Sequence, residues 1–177
     1  MAIRAGFVVD LRAVAFDVPF QPTLQLTTAR RSERIETLRA DQVALDDLFA
    51  LDTDLRQDVP GNDGWQGNRT WFDDEMTSAE FDPAAYLIAR DKHSGELVGL
   101  ARFWRNEDGP TLGMIGVRPS HRTGCVALGL LHDTLLAAST WGFATFSTHT
   151  ARTSLQRRLQ IIGATEAGGF TRLLLPD

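Results

Sequence analysis

Between residues 86 and 117 three apolar-rich runs follow one another: YLIARD (86–91), ELVGLARFWR (96–105) and TLGMIGV (111–117). They are separated by KHSG and by a turn from Asn106 to Pro110. Short apolar runs bounded by turn residues read as strands, and strands joined by such short connections pair antiparallel. An antiparallel meander in the middle of the chain therefore has to be covered by whatever precedes and follows it.

The flanking segments supply that cover. Asp41 is placed to cap a helix in which Val43, Leu45, Leu48, Leu51 and Leu55 recur near helical spacing, with Asp46, Asp47, Asp52 and Asp54 on the other side. RIETLR (34–39) reads as a short strand before it, and the Pro- and Gly-rich DVPGNDGWQGN (58–68) as a loop holding Trp65. RTWFDDEMTS (69–78) reads as a second short helix. Past the meander, Val126, Leu130, Leu131, Leu135 and Ala138 mark one face of a helix that Gly142 ends. FATFSTH (143–149) is then a strand, residues 152 to 162 a last helix stopped by Gly163, and GFTRLLL a closing strand. Residues 1 to 32, in which Pro19 and Pro22 interrupt an apolar run, read as an N-terminal extension to a domain spanning 33 to 177. The expected class is α/β (α+β), with helices flanking the sheet.

Charge narrows the partners. With 23 acidic against 18 basic residues and a net charge of -5, the chain gives no electrostatic support for binding nucleic acid or an anionic membrane, and a cationic or neutral small molecule fits it better. No apolar stretch reaches the about 18 residues of a membrane span, and Arg4, Asp10 and Arg12 break up the N-terminal segment. A single cysteine, Cys125, allows no internal disulfide, so the expected location is cytoplasmic. The histidines at 93, 121, 132 and 149 form no ligand-spaced cluster, and no metal site is expected.

The most chemical part of the sequence is VRPSHRTGCVALGLL (117–131). Pro119 has no N–H to donate, so the strand ending at Val117 must leave the sheet there. Arg122-Thr123-Gly124-Cys125-Val126-Ala127 then opens a helix, whose first N–H groups lack intrahelical partners and carry the positive end of the dipole. That arrangement suits an anion, most naturally phosphate.

The meander, the Val117-Arg118-Pro119 exit, the helix after it and the helix ending at Gly163 together resemble the GNAT superfamily of acyl-CoA-dependent N-acetyltransferases. The resemblance covers about residues 33 to 175 and implies a mixed, largely antiparallel sheet of about six or seven strands. It implies acetyl-CoA as co-substrate, no metal and a small-molecule amine as acceptor; a homodimer is left open. In the family an (Arg/Gln)-x-x-Gly-x-(Gly/Ala) loop holds the coenzyme's pyrophosphate on backbone amides. Arg122 matches its first position and Ala127 its last, Cys125 stands in the glycine slot, and Gly124 lies one position early. By the same resemblance Ile115, Gly116 and Val117 offer backbone groups to the pantetheine arm, opposite residues 147 to 150.

Acetyl transfer from a thioester needs the amine deprotonated and the thiolate protonated. The family often places a carboxylate on the strand corresponding to TLGMIGV, which has none, and a tyrosine on the last helix, where Leu159 stands. Glu75, with Asp74 beside it, and His149 are the candidate proton carriers. Trp65 and Trp71, with Trp104, are the candidate aromatic walls for an amine acceptor. Cys125 as a nucleophile is set aside, because no histidine and acid can be assigned to orient it. Two functions follow as expectations: an N-acetyltransferase acting by direct attack in a ternary complex, or a GNAT-fold acyl-CoA-binding module that has lost turnover.

Overall fold

The computed structural model describes residues 8–28, 32–59, 62, 64–107, 109–122, 125–141, 143–149 and 153–174. The meander is present as β3 (Tyr86–Asp91), β4 (Leu97–Asn106) and β5 (Gly109–Val117), each antiparallel to its neighbour. β2 (Ile35–Arg39) adds to the outer side of β3, antiparallel, with Ile35 opposite Asp91. α2 (Leu45–Arg56) and α3 (Arg69–Thr77) lie between β2 and β3 in sequence. Asp41 does not cap α2. It sits in a 3-10 turn, Ala40–Gln42, and the helix begins four residues later, because the turn's own hydrogen bonds from Val43 and from Arg39 to Gln42 take up that stretch.

Alternation along the strands sorts the core into two layers. Tyr86, Ile88, Leu100 and Met114 face α2 and pack on Leu48, Leu51, Leu55 and Phe72. Leu87, Ala89, Ala101 and Val117 face the opposite way, onto Val126 and Leu130 of α4 (Val126–Ala137). Burying each of the larger side chains contributes about 1.5–3 kcal/mol before entropy is charged.

The main departure from the sequence-based expectation is at the N-terminus. Residues expected to form an extension contribute β1 (Val8–Pro19), which lies inside the sheet. β1 runs antiparallel to β6 (Phe143–His149), from Ala13 opposite His149 to Pro19 opposite Phe143, and antiparallel to β7 (Thr165–Leu174) on its other side. The seven strands of the described residues are ordered β2-β3-β4-β5-β6-β1-β7. Alternation explains the placement: Phe16 and Val18 point to one side and are fully buried, packed with Phe20, Phe103, Leu135 and Leu159. α1 (Phe20–Thr27) follows and packs beside α4, where Thr27 and the His132 Nδ1 are 2.9 Å apart. Phe20 meets Phe103 edge to face, with ring centres 6.0 Å apart.

α5 (Thr153–Ile161) ends two residues before Gly163, whose φ of +86° suits a residue without a Cβ. β7 starts at Thr165, earlier than the expected GFTRLLL, since β1 provides an antiparallel partner as far as Asp17. The expected helix stop at Gly142 lies outside the described residues; α4 itself ends at Ala137 and a 3-10 turn, Ser139–Trp141, follows.

Candidate active site

β5 and β6 are the one parallel pair among the described strands, and they are bridged at a single point, Thr111 opposite Thr145. Beyond it, toward Ile115–Val117 on one side and Ser147–His149 on the other, the two strands run on without further pairing. Ile115 is 37% exposed for a residue inside a sheet. The backbone along this gap is thus open to an extended ligand that pairs as an added strand would. The pairing of β6 is completed on its far side by β1, so the gap is not a frayed edge.

At the end of β5 the chain turns as the proline requires. Pro119–His121 form a 3-10 turn and α4 starts at Val126, with Cys125 as its N-cap. Cys125 has φ 65° and ψ 18°, the left-handed conformation, and is the one non-glycine residue with positive φ among those described. The side chain costs energy there that glycine would avoid, about 1 kcal/mol. Val126 is buried and opens the helix. Of the other candidate loop residues, Thr123 and Gly124 lie outside the described residues, as does Arg152.

The turn is tied down from two sides. Arg122 donates from Nε to the Val117 carbonyl at 3.0 Å and pairs through its guanidinium with Asp58, while Arg118 pairs with Asp54 at 3.1 Å. Arg122, expected to meet phosphate, therefore braces the loop against the end of α2. On the other side the buried carboxylate of Asp91 accepts from Arg34 Nε at 2.7 Å, from the His93 N–H at 2.8 Å and from His121 Nε2 at 2.9 Å. With its Nε2 proton given to Asp91, neutral His121 accepts at Nδ1 from the Ser120 hydroxyl, 2.9 Å away. Hydrogen bonds from Arg34 and His121, opposed by burial, hold the Asp91 carboxyl well below the usual carboxylate range. His121 is thus a tether for the turn, made with the far end of β3.

The sequence-predicted acceptor residues come together on the α3 side. Trp65, Trp71 and Glu75 line one small cavity of about 60 Å³ with Asp52, Thr53 and Arg56. Trp71 and Glu75 also line a larger open cleft of about 510 Å³, together with Asp74, Glu80, Trp104 and Asn106. Trp71 is 65% exposed, and the Asn68 side chain caps the start of α3 by accepting from the Trp71 N–H. A β-bulge puts this cleft against β5. Arg102 pairs with Met114 and Phe103 with Leu112, leaving Gly113 unmatched. Trp104 lies across it, so that a Cβ at Gly113 would stand 2.3 Å from the indole Nε1.

Two residues that the sequence reading passed over organise this wall. Arg102 is 2% exposed and pairs with buried Asp52 at 2.9 Å; Arg56 reaches the same carboxylate at 2.6 Å. Both guanidiniums also face Glu75, at 3.7 Å from Arg56 and 3.8 Å from Arg102. Arg102 is sandwiched against the rings of Tyr86 and Trp104, 5.4 and 5.0 Å from their centres. Burial pushes the Tyr86 phenol far above its ordinary range, with the Arg102 charge opposing. The signals were present: Asp52 shares helical spacing with Leu48 and Leu55, and Arg102 interrupts an apolar strand.

The remaining candidates lie apart from that cleft. His149 is the last residue of β6, opposite Ala13. Leu159 is buried in the core under β1, and Arg157 and Arg158 are exposed on α5. No group of three or more potential metal-binding side chains occurs among the described residues, and no helix among them is long and apolar enough to cross a membrane.

No family model matches the chain, and no curated protein matches it. Solved structures do. A GCN5-related N-acetyltransferase from Sphaerobacter thermophilus is similar with TM-score 0.70 and 15% identity, covering 98% of this chain and 55% of that one. A tandem GNAT protein from the clavulanic acid biosynthesis pathway gives 0.64 and 11%, covering 97% and 56%, and a GCN5-related N-acetyltransferase from Kribbella flavida gives 0.62 and 13%, covering 99% and 62%. The chain thus spans little more than half the length of these structures. At such identities the likeness is one of fold, and the fold is that of the GNAT acetyltransferases.

Proposed function

We propose that this GNAT-fold chain transfers an acetyl group from acetyl-CoA to the primary amine of a small molecule, by direct attack in a ternary complex. The observation that carries the reading is the gap between β5 and β6, bridged only at Thr111–Thr145, with the Gly113 bulge and the acidic, indole-walled cleft beside it. Backbone groups of Ile115, Gly116 and Val117 hold the pantetheine arm of the donor. The turn from Arg122 through Thr123, Gly124, Cys125 and Val126 to Ala127 receives the pyrophosphate on its amides. The acceptor enters from the α3 side between Trp71 and Trp104, with Trp65 closing the smaller cavity behind Glu75.

In the reaction the amine nitrogen attacks the thioester carbonyl carbon, the C–S bond breaks, and one amine proton leaves while the thiolate gains one. Glu75, standing between both cavities, takes the amine's proton through water, and His149 at the end of β6 is the second candidate for moving protons near the gap. Orientation of donor and acceptor in one cleft supplies the remaining advantage.

One observation favours the alternative, a coenzyme-binding module without turnover. Leu159 is buried in the core where the resemblance would place an acid, and the chain's one tyrosine, Tyr86, is buried at the opposite face. Thermal shift with acetyl-CoA followed by thiol release over a panel of amines separates the readings. Stabilisation by the coenzyme is expected from either. Amine-dependent thiol release is expected from the enzyme alone, and saturable coenzyme binding with no release from any amine would leave only the module.

A further inference from the structure

We infer that the acceptor is a diamine, a molecule that keeps one ammonium group while the other is acetylated; the inference rests on the transferase reading above. The cleft beside the Gly113 bulge is walled by two indoles, Trp71 and Trp104, and by three carboxylates, Asp74, Glu75 and Glu80, with no basic side chain in its lining. The carboxylates are not equivalent. Glu75 faces Arg56 and Arg102, so its charge is already matched from within the protein. Asp74 and Glu80 form no ion pair with any described residue, and both border the cleft.

Two unmatched negative charges and two indole faces in one cleft of about 510 Å³ set a charge requirement on the occupant. A monoamine meets it only until it reacts, because the nitrogen that attacks must be neutral and the cleft then holds no cation. A diamine keeps one ammonium between Asp74, Glu80 and the indoles while the other, deprotonated, reaches the donor at β5. An amino acid brings a carboxylate into an anionic cleft and is disfavoured. Arg105 does not fill the cationic role, since its side chain lies over Trp141, 5.4 Å from the ring centre.

The test is thiol release from acetyl-CoA with 1,4-diaminobutane, n-butylamine and 4-aminobutanoic acid at one pH and ionic strength. The expected kcat/KM is about tenfold higher for the diamine than for the monoamine, lowest for the amino acid, with the preference shrinking as salt rises. In the Asp74→Asn, Glu80→Gln double variant the diamine-to-monoamine ratio falls toward one. Asp73→Asn, on the same helix but paired with Arg69, keeps the ratio. Equal kcat/KM for diamine and monoamine, preference for the amino acid, or a ratio that survives the double variant overturns the inference and leaves acetyl transfer standing. If no amine releases thiol, the transferase reading fails by itself. Calorimetric titration then decides the cleft: tighter binding of diaminobutane than of butylamine supports the charge argument, and equal binding overturns it.

Discussion

In the half of the sheet from β2 to β5 each strand pairs with its neighbour in sequence, whereas β6, β1 and β7 pair strands from opposite ends of the chain. The first half is closed by short turns and by α2 packed over it. The second depends on β1, whose removal would leave β6 and β7 with no strand between them. The gap that the transferase reading uses lies where these two constructions meet, at a single bridge. Each half can be finished by its own pairing without the other closing on it, which is how a sheet keeps an opening in its middle.

The comparison breaks first at Phe16. If β1 is structural, Phe16→Ala should cost about 3–5 kcal/mol in chemical denaturation, as a large core truncation does, whereas an appended strand would give under about 1 kcal/mol. In the meander half the matching test is Arg102→Met, expected to cost about 3 kcal/mol because buried Asp52 loses one of its two cations. Adding Asp52→Leu should recover most of that loss. A single variant as stable as the parent would show that the pair contributes only to the cleft.

Cys125, on the segment that leaves the first half, gives a smaller effect of opposite sign. Cys125→Gly should stabilise by about 1 kcal/mol, about 2–4 °C in Tm, by relieving a left-handed side-chain residue. Titration with acetyl-CoA should also show tighter binding if the thiol crowds the amides of the turn.

The smallest effect is confined to acid. The Asp91 carboxyl is held below its ordinary range, so its contribution is complete above the unfolded carboxylate pKa of about 4 and is lost as pH falls through the folded value. Asp91→Asn should therefore be less stable at neutral pH and show a shallower loss of stability below about pH 4 in denaturant midpoints. Parallel pH profiles would place the acid sensitivity on another carboxylate.

The same division explains what could be read from the sequence. The meander was legible because the chemistry of KHSG and of Pro119 acts over a few residues, and a hairpin needs nothing more distant. β1 was not, although Phe16 and Val18 alternate as a strand should. Its partners lie at the other end of the sequence, and Pro19 and Pro22 read as interruptions, when Pro19 ends the strand and Pro22 sits in the first turn of α1. Asp41 looked like a cap for α2 because the spacing rule does not see a 3-10 turn competing for it. At the candidate site, Glu75, Trp65 and Trp71 were visible as residue types in a short helix and loop. The Arg102–Asp52 pair that backs them was hidden inside apolar patterns.

The order of strands also sets a schedule for the chain as it is made. β1 leaves the ribosome before the meander, and both strands that will flank it arrive last. The meander, with α2, can fold while synthesis continues, but β1, an apolar strand with both hydrogen-bonding edges unmet, has to wait. Protection of that nascent segment, rather than formation of the meander, is the step at which production of this protein would be most easily lost to aggregation.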